Sequence, residues 1–356
     1  MMKWLKVLII VSSALIGLAG LLLLPATITA YRPDKPEPAE MKGNVPGIQA
    51  GDSIFTLLSW NIGYFGLGKD CDFFYDGGRM TRPSKEQYQQ YSGNALEYLK
   101  QTRGIDFLFL QEVDLDSRRS YHDDQVARLR MIFPQMESSV ALNYVVSFVP
   151  VPFRDPMGKV KSGLLSFSAW HTVENTRYPF PGGYSWPVRL FQLERCFLLS
   201  RLVLPGGKEL VLINTHNEAF DNGSQRKQQT AVLRDLMLAE YKKGNYVVTG
   251  GDWNQNPVGF LPTDLPGTFS TGDISRIIQP QIEKDFFPSD WKWVYDPELP
   301  SNRDVDQAYT RGKTPTTIID FFVVSPNISV EKVSTQDLGF AWSDHQPVLM
   351  TFKIRQ

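Results

Sequence analysis

The stretch at residues 246–254 reads YVVTGGDWN, an apolar strand-forming run followed by two glycines, an aspartate and an asparagine. Because side chains alternate along a strand, Asp252 and Asn254 fall on the same side of it. A carboxylate there can orient or deprotonate a water, and an amide can donate to charge that develops on a phosphate oxygen. Taken alone, Gly-Asp at a strand end is more often a turn, so the pattern depends on its context.

Two other predicted strands also end in polar side chains. The run at 54–60 ends at Asn61, and the run at 105–110 leads through a glutamine into Glu112. A glutamate in this position is either a solvated strand end or a carboxylate ligand of a divalent metal.

Two histidines flank further strands. His216 follows the second strand of a hairpin predicted around a Pro-Gly-Gly turn, where a histidine is more often solvated or structural than catalytic. His345 precedes the last strand and has Asp344 beside it, which offers an acid/base histidine with a carboxylate neighbour. Asp320 lies in the apolar strand predicted at 318–324, where a charge must be paired or hydrogen-bonded.

Helices are predicted between these strands. Ser84 can cap the first, residues 121–133 form the second, and the longest starts at Asn222 or Ser224. We expect Arg226 on the solvated side of the longest helix. Its apolar face is predicted to comprise Val232, Leu233, Leu236, Leu238 and Ala239.

Two long segments without a clear period separate the motifs. Residues 66–82 are rich in glycine and aromatic side chains, and loops of this length in a compact domain are usually functional or disordered. Residues 255–317 carry several aromatic side chains, which form either local core or a wall for a substrate.

The composition is that of a folded globular protein, with 42% hydrophobic and 21% charged residues. A net charge of −1 does not indicate nucleic acid as the partner, although a local basic groove is compatible with it. Cys71 and Cys196 are too few for a disulfide framework or a cysteine-rich zinc site. We expect them buried and unpaired rather than joined in one bridge.

The N-terminal segment has the pattern of a membrane anchor. Lys3 and Lys6 precede the uncharged run at 7–28, which is about the length that spans a bilayer. This charge pattern places the N-terminus in the cytoplasm and exports the remainder of the chain. A cleaved signal peptide and a buried core helix are the alternatives.

The chain thus divides into three predicted parts. Residues 1–30 form the anchor or signal, residues 31–51 a proline-rich tether, and residues 52–356 the catalytic domain.

Six motifs occur along this domain in a fixed order: Ser59-Trp60-Asn61-Ile62, Leu110-Gln111-Glu112, Asn214-Thr215-His216, Gly251-Asp252-Trp253-Asn254, Ile319-Asp320-Phe321 and Ser343-Asp344-His345-Gln346-Pro347. In this order and content residues 55–354 resemble the endonuclease/exonuclease/phosphatase superfamily. The resemblance implies a mixed α/β fold, a four-layer α/β/β/α sandwich with the site at one edge of two packed sheets. It also implies that Asn61 and Glu112 hold a metal and that Asp344 assists. A ligand set of oxygen atoms without cysteine favours Mg²⁺ or Mn²⁺.

The resemblance also implies roles for the remaining motif residues. Asp252 orients or activates the attacking water, and Asn254 and His216 contact the scissile phosphate. His345, held by Asp320, is the acid/base or phosphate-stabilising histidine.

The sequence therefore predicts a metal-dependent phosphoesterase, tethered to a membrane and acting outside the cytoplasm on a lipid or small phosphoester. A nuclease acting on DNA or RNA is one alternative, and a catalytically dead phosphate-binding protein is another; no protein partner is implied. A nuclease needs a basic groove, and its candidate residues are Lys159, Lys161, Arg311 and Lys313.

Overall fold

The computed structural model describes residues 2–221, 223–265 and 281–354. Its α-helices are α1 (Met2–Ile28), α2 (Lys85–Gln101), α3 (Gln125–Ile132) and α4 (Ser224–Lys242). Its strands are β1 (Glu37–Pro38), β2 (Glu40–Lys42), β3 (Ile54–Asn61), β4 (Phe107–Asp114), β5 (Glu137–Val149), β6 (Gly158–Ser168), β7 (Glu174–Pro179), β8 (Cys196–Val203), β9 (Glu209–His216), β10 (Tyr246–Asp252), β11 (Lys292–Val294), β12 (Asn302–Arg303), β13 (Thr316–Thr317), β14 (Asp320–Val324), β15 (Ile328–Thr335) and β16 (Val348–Ile354).

Fourteen of these strands form two large sheets of seven strands each, and β12 and β13 pair separately. The first sheet has the order β15-β16-β3-β4-β6-β5-β2, and the second has the order β1-β7-β8-β9-β10-β14-β11. The neighbours β3 and β4 run parallel, as do β9 and β10, so within each pair the C-terminal ends lie at the same edge. The polar residues that end these strands are thereby brought to one side of the molecule.

The two sheets pack face to face through a shared apolar core. Phe55 and Phe107 of the first sheet lie in one buried cluster with Leu212, Val248 and Phe322 of the second. The alternation of apolar side chains along each strand supplies this inner face.

Helices cover the two outer faces. Ala95 and Leu99 of α2 and Leu129 of α3 pack on Leu58 and Leu108 of the first sheet. On the second sheet, Leu233 and Met237 of α4 pack on the outer side chains of β9, β10 and β14. The mixed α/β fold with two large sheets agrees with the predicted sandwich, and Ser84 caps α2 as predicted.

The buried face of α4 differs from the predicted one. Leu233 and Met237 are buried, whereas Val232 is 36% exposed. Arg226, which we expected in solvent, is buried. It pairs with Asp221 at 2.7 Å and donates to the backbone carbonyl of Asn254, and these two acceptors offset the cost of burying its charge. Ser224 begins the helix, and the alternative start at Asn222 lies outside the described residues.

The predicted membrane anchor is not supported. The apolar N-terminal run forms α1, which contains Pro25. Within the described residues, no helix combines the length and the apolar character that crossing a bilayer requires. Within the proline-rich segment, β1 and β2 pair with β7 and β5 at the edges of the two sheets, which a free tether would not do.

Two strands run further than their apolar patterns indicate. β4 continues through Glu112 to Asp114, past an irregularity in its pairing with β6. β5 starts at Glu137 instead of Tyr144, because polar residues at its start are buried between neighbouring strands. Cys71 and Cys196 are buried and free, as predicted.

Candidate active site

Strand pairing places three of the predicted site residues at one sheet edge. Asp252, the last residue of β10, lies opposite His216 of β9 and opposite Asp320 of β14. Gly251 has a φ of +135°, and a side chain there would clash with the carbonyl oxygen of Thr215. The glycine before Asp252 is therefore what lets β10 end this close to β9.

The carboxylate of Asp252 lies at the centre of the site. Its Oδ2 accepts a hydrogen bond from Asn61 Nδ2 at 2.9 Å and lies 3.5 Å from His216 Nε2 and 3.7 Å from His345 Nε2. Burial raises the pKa of Asp252 to about 7, although the charge of His345 opposes the rise. A carboxylate with such a pKa can accept a proton from a bound water near neutral pH.

His345 forms a hydrogen-bonded pair with Asp320, as predicted. Its Nδ1 lies 2.8 Å from Asp320 Oδ2, and the side-chain amide of Asn302 lies 3.0 Å from its Nε2. Burial lowers the pKa of His345, but the charges of Asp320, Asp344 and Asp252 outweigh burial and raise it to about 10. The ring is therefore positively charged at neutral pH and faces the cavity with Nε2.

His216 is a neutral counterpart on the other side of Asp252. Burial, followed by the positive charges of Arg195 and His345, holds the pKa of His216 well below its usual range. Its Nδ1 is buried without a hydrogen-bond partner among the described residues. A neutral imidazole can donate one hydrogen bond to a phosphate oxygen without competing for the proton of His345.

Asn254 is fixed beside Asp252 by hydrogen bonds of its backbone and its side chain. Its backbone has a φ of +49°, its N–H donates to Asp252 Oδ1 at 2.9 Å, and its Nδ2 donates to the carbonyl of Asn217 at 3.0 Å. The carbonyl of Asn254 in turn accepts from Arg226 at 2.9 Å. In this arrangement Asn254 orients the carboxylate of Asp252, and one of the two N–H groups of its amide is engaged, so its contact with the scissile phosphate stays a prediction.

Glu112 and Asp344 lie beside this centre and face the same cavity. Glu112 has a φ of +55° in the bulge of β4 and is half-buried, with Arg119 Nη1 3.7 Å from its Oε2. Burial raises the pKa of Asp344; the charge of His345 opposes the rise and that of Glu112 adds to it. A side chain at Gly63 would come within 2.8 Å of Asp344 Oδ1, so the carboxylate packs on the turn that follows Asn61.

Glu112 and Asp344 thus present carboxylate oxygens, the donors that a hard divalent cation prefers, to the same cavity. Asn61 donates to Asp252 through its amide nitrogen, and its Oδ1 accepts from Gly63 at 3.0 Å. A carbonyl oxygen has two lone pairs, so the role of Asn61 as a cation ligand stays a prediction. The ligand atoms of Asp252, Asp320 and His345 also lie within 4.8 Å of one another. Because the Asp320–His345 hydrogen bond already uses two of those atoms, these three residues are a less suitable ligand set than Glu112 and Asp344.

The site opens into a cavity of about 280 Å³. One end is a strand-end cluster made of Asn61, Glu112, His216, Asp252, Asp344 and His345. Another part of the lining is a loop wall made of Tyr75, Asn143, Tyr144, Arg195 and Phe220. The aromatic loop at 66–82 contributes to this wall, as its composition indicated.

Sequence reasoning missed most of the loop wall and also Arg119. The guanidinium of Arg119 lies 3.9 Å from the ring centre of Tyr64 and pairs with Asp114 at 3.0 Å. Arg195 comes directly before the apolar run of β8, and a cation at a strand start was the only signal for it.

The basic residues considered for a nucleic-acid groove do not line this cavity in the described part of the chain. Lys159 pairs with Asp116, and Arg311 pairs with Asp337 at 2.6 Å. The charges of Lys159 and Arg311 are thus balanced by neighbouring carboxylates.

Comparison with known proteins identifies the family. The model of the endonuclease/exonuclease/phosphatase family matches residues 58–345, and the chain belongs to that family. Members of this family are hydrolases of phosphoesters and generally depend on a divalent metal. No curated protein sequence gives a significant match to the chain.

Solved structures share the fold at low sequence identity. An endonuclease/exonuclease/phosphatase from Beutenbergia cavernae is 17% identical, with a TM-score of 0.55 over 85% of this chain and 72% of that one. ANGEL2, described as a 2′,3′-cyclic phosphatase in complex with adenosine-2′,3′-vanadate, is 15% identical, with a TM-score of 0.54 over 89% and 99%. D. rerio TDP2 complexed with a single-strand DNA product is 15% identical, with a TM-score of 0.50 over 85% and 100%.

Proposed function

We propose that this protein is a divalent-cation-dependent phosphoesterase that hydrolyses a small phosphoester or the end group of a larger one. One observation carries the proposal: Asp252 is hydrogen-bonded to Asn61 and placed between a neutral and a charged histidine, at the end of a single cavity. A proton acceptor, carboxylates suited to a cation and two donors to phosphate thus meet at one cavity.

Glu112 and Asp344 would hold the cation, which we propose to be Mg²⁺ or Mn²⁺ because the donors are carboxylate oxygens. Bound there, the cation would offset negative charge on the phosphate oxygens and orient the phosphoryl group. The raised pKa of Asp344 reflects burial and, in part, an uncompensated carboxylate neighbour, which is what a cation relieves.

The protein side chains supply the rest of the reaction. Asp252 Oδ2 would take the proton of the attacking water, and the hydrogen bond from the N–H of Asn254 fixes the orientation of that carboxylate. His345, positively charged and held by Asp320, faces the charge that develops on the phosphate. His216 would add a neutral donor from the opposite side.

The shape of the cavity favours a compact substrate over a duplex. Its loop wall carries aromatic rings, and Tyr75 contacts Phe220 with ring centres 5.8 Å apart. A base, sugar or other small group of the substrate would pack there. The complex of ANGEL2 with adenosine-2′,3′-vanadate supports a substrate of this size.

A nuclease that takes a single-stranded end into the same cavity is the second candidate. The aromatic wall favours it, since bases stack on such side chains, and D. rerio TDP2 is complexed with a single-strand DNA product. The pairing of Lys159 and Arg311 with carboxylates gives no support to a basic groove along a longer strand.

Hydrolysis of bis(p-nitrophenyl) phosphate and p-nitrophenyl phosphate by the full chain tests the proposal. We expect turnover with Mg²⁺ or Mn²⁺, its loss on chelation, and a loss of about 10²–10⁴-fold in Asp252→Asn. Asp235→Asn, which alters an exposed carboxylate on α4, is the matched control and should retain full activity. Absence of metal-dependent turnover on these esters and on a panel of nucleotides and oligonucleotides would favour a phosphate-binding protein without catalysis.

A further inference from the structure

Two buried hydrogen-bond donors of the loop wall have no partner among the described residues. Arg195 is 6% exposed, and its Nε and Nη1 donate to nothing. Asn143 is 2% exposed, and its Nδ2 likewise donates to nothing. Buried polar groups are normally hydrogen-bonded, and leaving a charged one unpaired is costly. Because both side chains line the cavity, a ligand in it is the partner that they lack.

The local backbone directs both side chains into the cavity. Asn143 lies at a break in the register between β5 and β6, between Leu142 and Tyr144. A bulge of this kind leaves one residue outside the ladder and redirects its side chain. The carbonyl of Asn143 accepts from the N–H of Glu194 at 2.7 Å, which places Arg195 directly beside it.

A second arginine fixes this arrangement. Arg177 is buried and donates through Nε to the carbonyl of Leu142 at 2.7 Å and through Nη2 to the carbonyl of Glu194 at 2.9 Å. These are the residues immediately before Asn143 and Arg195. The two donors are thus preorganised on rigid backbone instead of on a free loop end.

The one carboxylate within 4 Å of Arg195 in the described chain is Glu218, whose Oε2 lies 3.7 Å from Nε. The other oxygen of Glu218 accepts from the backbone N–H groups of Ala219 and Phe220, at 3.1 and 3.2 Å. This ion pair places the guanidinium but leaves its hydrogen bonds unmade. Among the described residues Arg195 forms no ion pair with Glu112 or Asp252, and its charge acts on the neighbouring His216.

We propose that Arg195 and Asn143 form a subsite for a second anionic group of the substrate, next to the phosphate that is cleaved. The inference rests on the proposed function and narrows its substrate class to phosphoesters that carry a second phosphate. Guanidinium and amide N–H groups match phosphate oxygens, and a phosphate completes the hydrogen bonds that both side chains lack. Tyr144 and Phe220 then contact the part of the substrate that joins the two phosphates.

Matched substrate pairs test the subsite. The full chain with Mg²⁺ is assayed on adenosine 3′,5′-bisphosphate against adenosine 5′-monophosphate, and on fructose 1,6-bisphosphate against fructose 6-phosphate. We expect kcat/KM to be about 10- to 100-fold higher for the bisphosphate of at least one pair. Arg195→Gln should reduce that ratio to near one, because it lowers kcat/KM for the bisphosphate far more than kcat/KM for the monophosphate. Asn143→Ala should reduce the ratio by a smaller factor.

Arg189→Gln is the control, because Arg189 pairs with Glu194 nearby but does not line the cavity. It should keep the wild-type ratio. An equal loss on both members of a pair in Arg195→Gln, or no preference for any bisphosphate in the wild type, would overturn the subsite while hydrolysis itself upholds the proposed function.

A binding measurement tests the subsite independently of hydrolysis. Calorimetric titration of the metal-free chain with inorganic phosphate should show binding that Arg195→Gln weakens at least tenfold and Arg189→Gln preserves. If the wild type hydrolyses nothing but binds phosphate in this way, the proposed function fails and the subsite stands. Phosphate binding unaffected by Arg195→Gln would contradict the subsite.

Discussion

The two sides of the cavity are built in different ways. The strand-end cluster consists of side chains at the ends of paired strands, and backbone register sets their spacing, as with Asp252 opposite His216. The loop wall is assembled from a bulge, a strand start and two loops that are far apart in sequence. Tyr75 and Phe220, for example, come from distant parts of the chain and meet with ring centres 5.8 Å apart.

This difference separates chemistry from recognition. The strand-end cluster holds strongly perturbed groups, a carboxylate with a pKa of about 7 and a histidine with a pKa of about 10, fixed by short hydrogen bonds. The loop wall holds aromatic rings and unpartnered donors. We therefore expect substitutions in the cluster to lower kcat and substitutions in the wall to raise KM.

The largest expected effect is in the cluster. His345→Ala should lower kcat about 10²–10⁴-fold, because the charge that faces the phosphate is lost, with little change in KM. Asp320→Asn should cause a smaller loss, since the ring remains but loses its orienting carboxylate. Steady-state kinetics with circular dichroism for each variant checks this. A kcat near wild type in His345→Ala, while Asp252→Asn is inactive, would remove His345 from the mechanism.

An intermediate effect is expected for an ion pair that belongs to neither side. Arg201 donates to both oxygens of Glu240 at 2.9 and 2.8 Å, which lowers the pKa of Glu240 to about 2. A depressed pKa stabilises the folded state above the ordinary value of 4.5 and loses that contribution as pH falls towards 2. Glu240→Gln should lower the free energy of unfolding by about 1–3 kcal/mol at pH 7.

Urea unfolding at pH 7 and pH 3 measures this difference, which should shrink at the lower pH. Glu97→Gln, an exposed partner of Lys100 on α2, is the control and should change stability by no more than about 0.5 kcal/mol. Unchanged kcat in Glu240→Gln would show that loss of stability away from the cavity does not imitate a catalytic defect. An equal difference at both pH values would mean that the ion pair is not its source.

The smallest expected effect is in the wall. Phe220 is 47% exposed and lines the cavity, so a substrate group that covers the ring would bury apolar surface. Phe220→Ala should raise KM about fivefold and leave kcat unchanged. Phe153→Ala removes a ring that is 93% exposed and outside the cavity, and it should alter neither parameter. A fall in kcat without a change in KM for Phe220→Ala would erase the proposed distinction between the two sides.

Much of the fold could be predicted because its signals are local. Apolar alternation and the starts of α2 and α4 lie within short stretches, and the predicted positions of these elements agree with the structure. The pairing of β1 and β2 with both sheets could not be predicted, since proline-rich composition is typical of extended chain and does not indicate its partner. Arg226 was predicted to be exposed because a charged side chain normally lies in solvent. The sequence does not show that a buried backbone carbonyl accepts its hydrogen bond.

The same distinction holds for the site. Motif order indicated the members of the strand-end cluster, because each follows or precedes a strand in the sequence. It did not show that the amide of Asn254 is engaged by a backbone carbonyl, which depends on the turn at Asn217. Arg195 and Asn143 could not be found from sequence, because a register break and a contact between distant strands create their setting.

At Glu112 and Asn254, whose backbone is left-handed, natural selection for stability and natural selection for activity favour different residues. Their φ values of +55° and +49° are ones that glycine adopts more easily, and each such residue costs about 1–3 kcal/mol. The rest of the fold must offset that strain for the side chains to remain where they are. Under selection for thermal stability alone, substitutions that remove this backbone strain at the two positions would be favoured. The protein would then lose its activity and keep its fold.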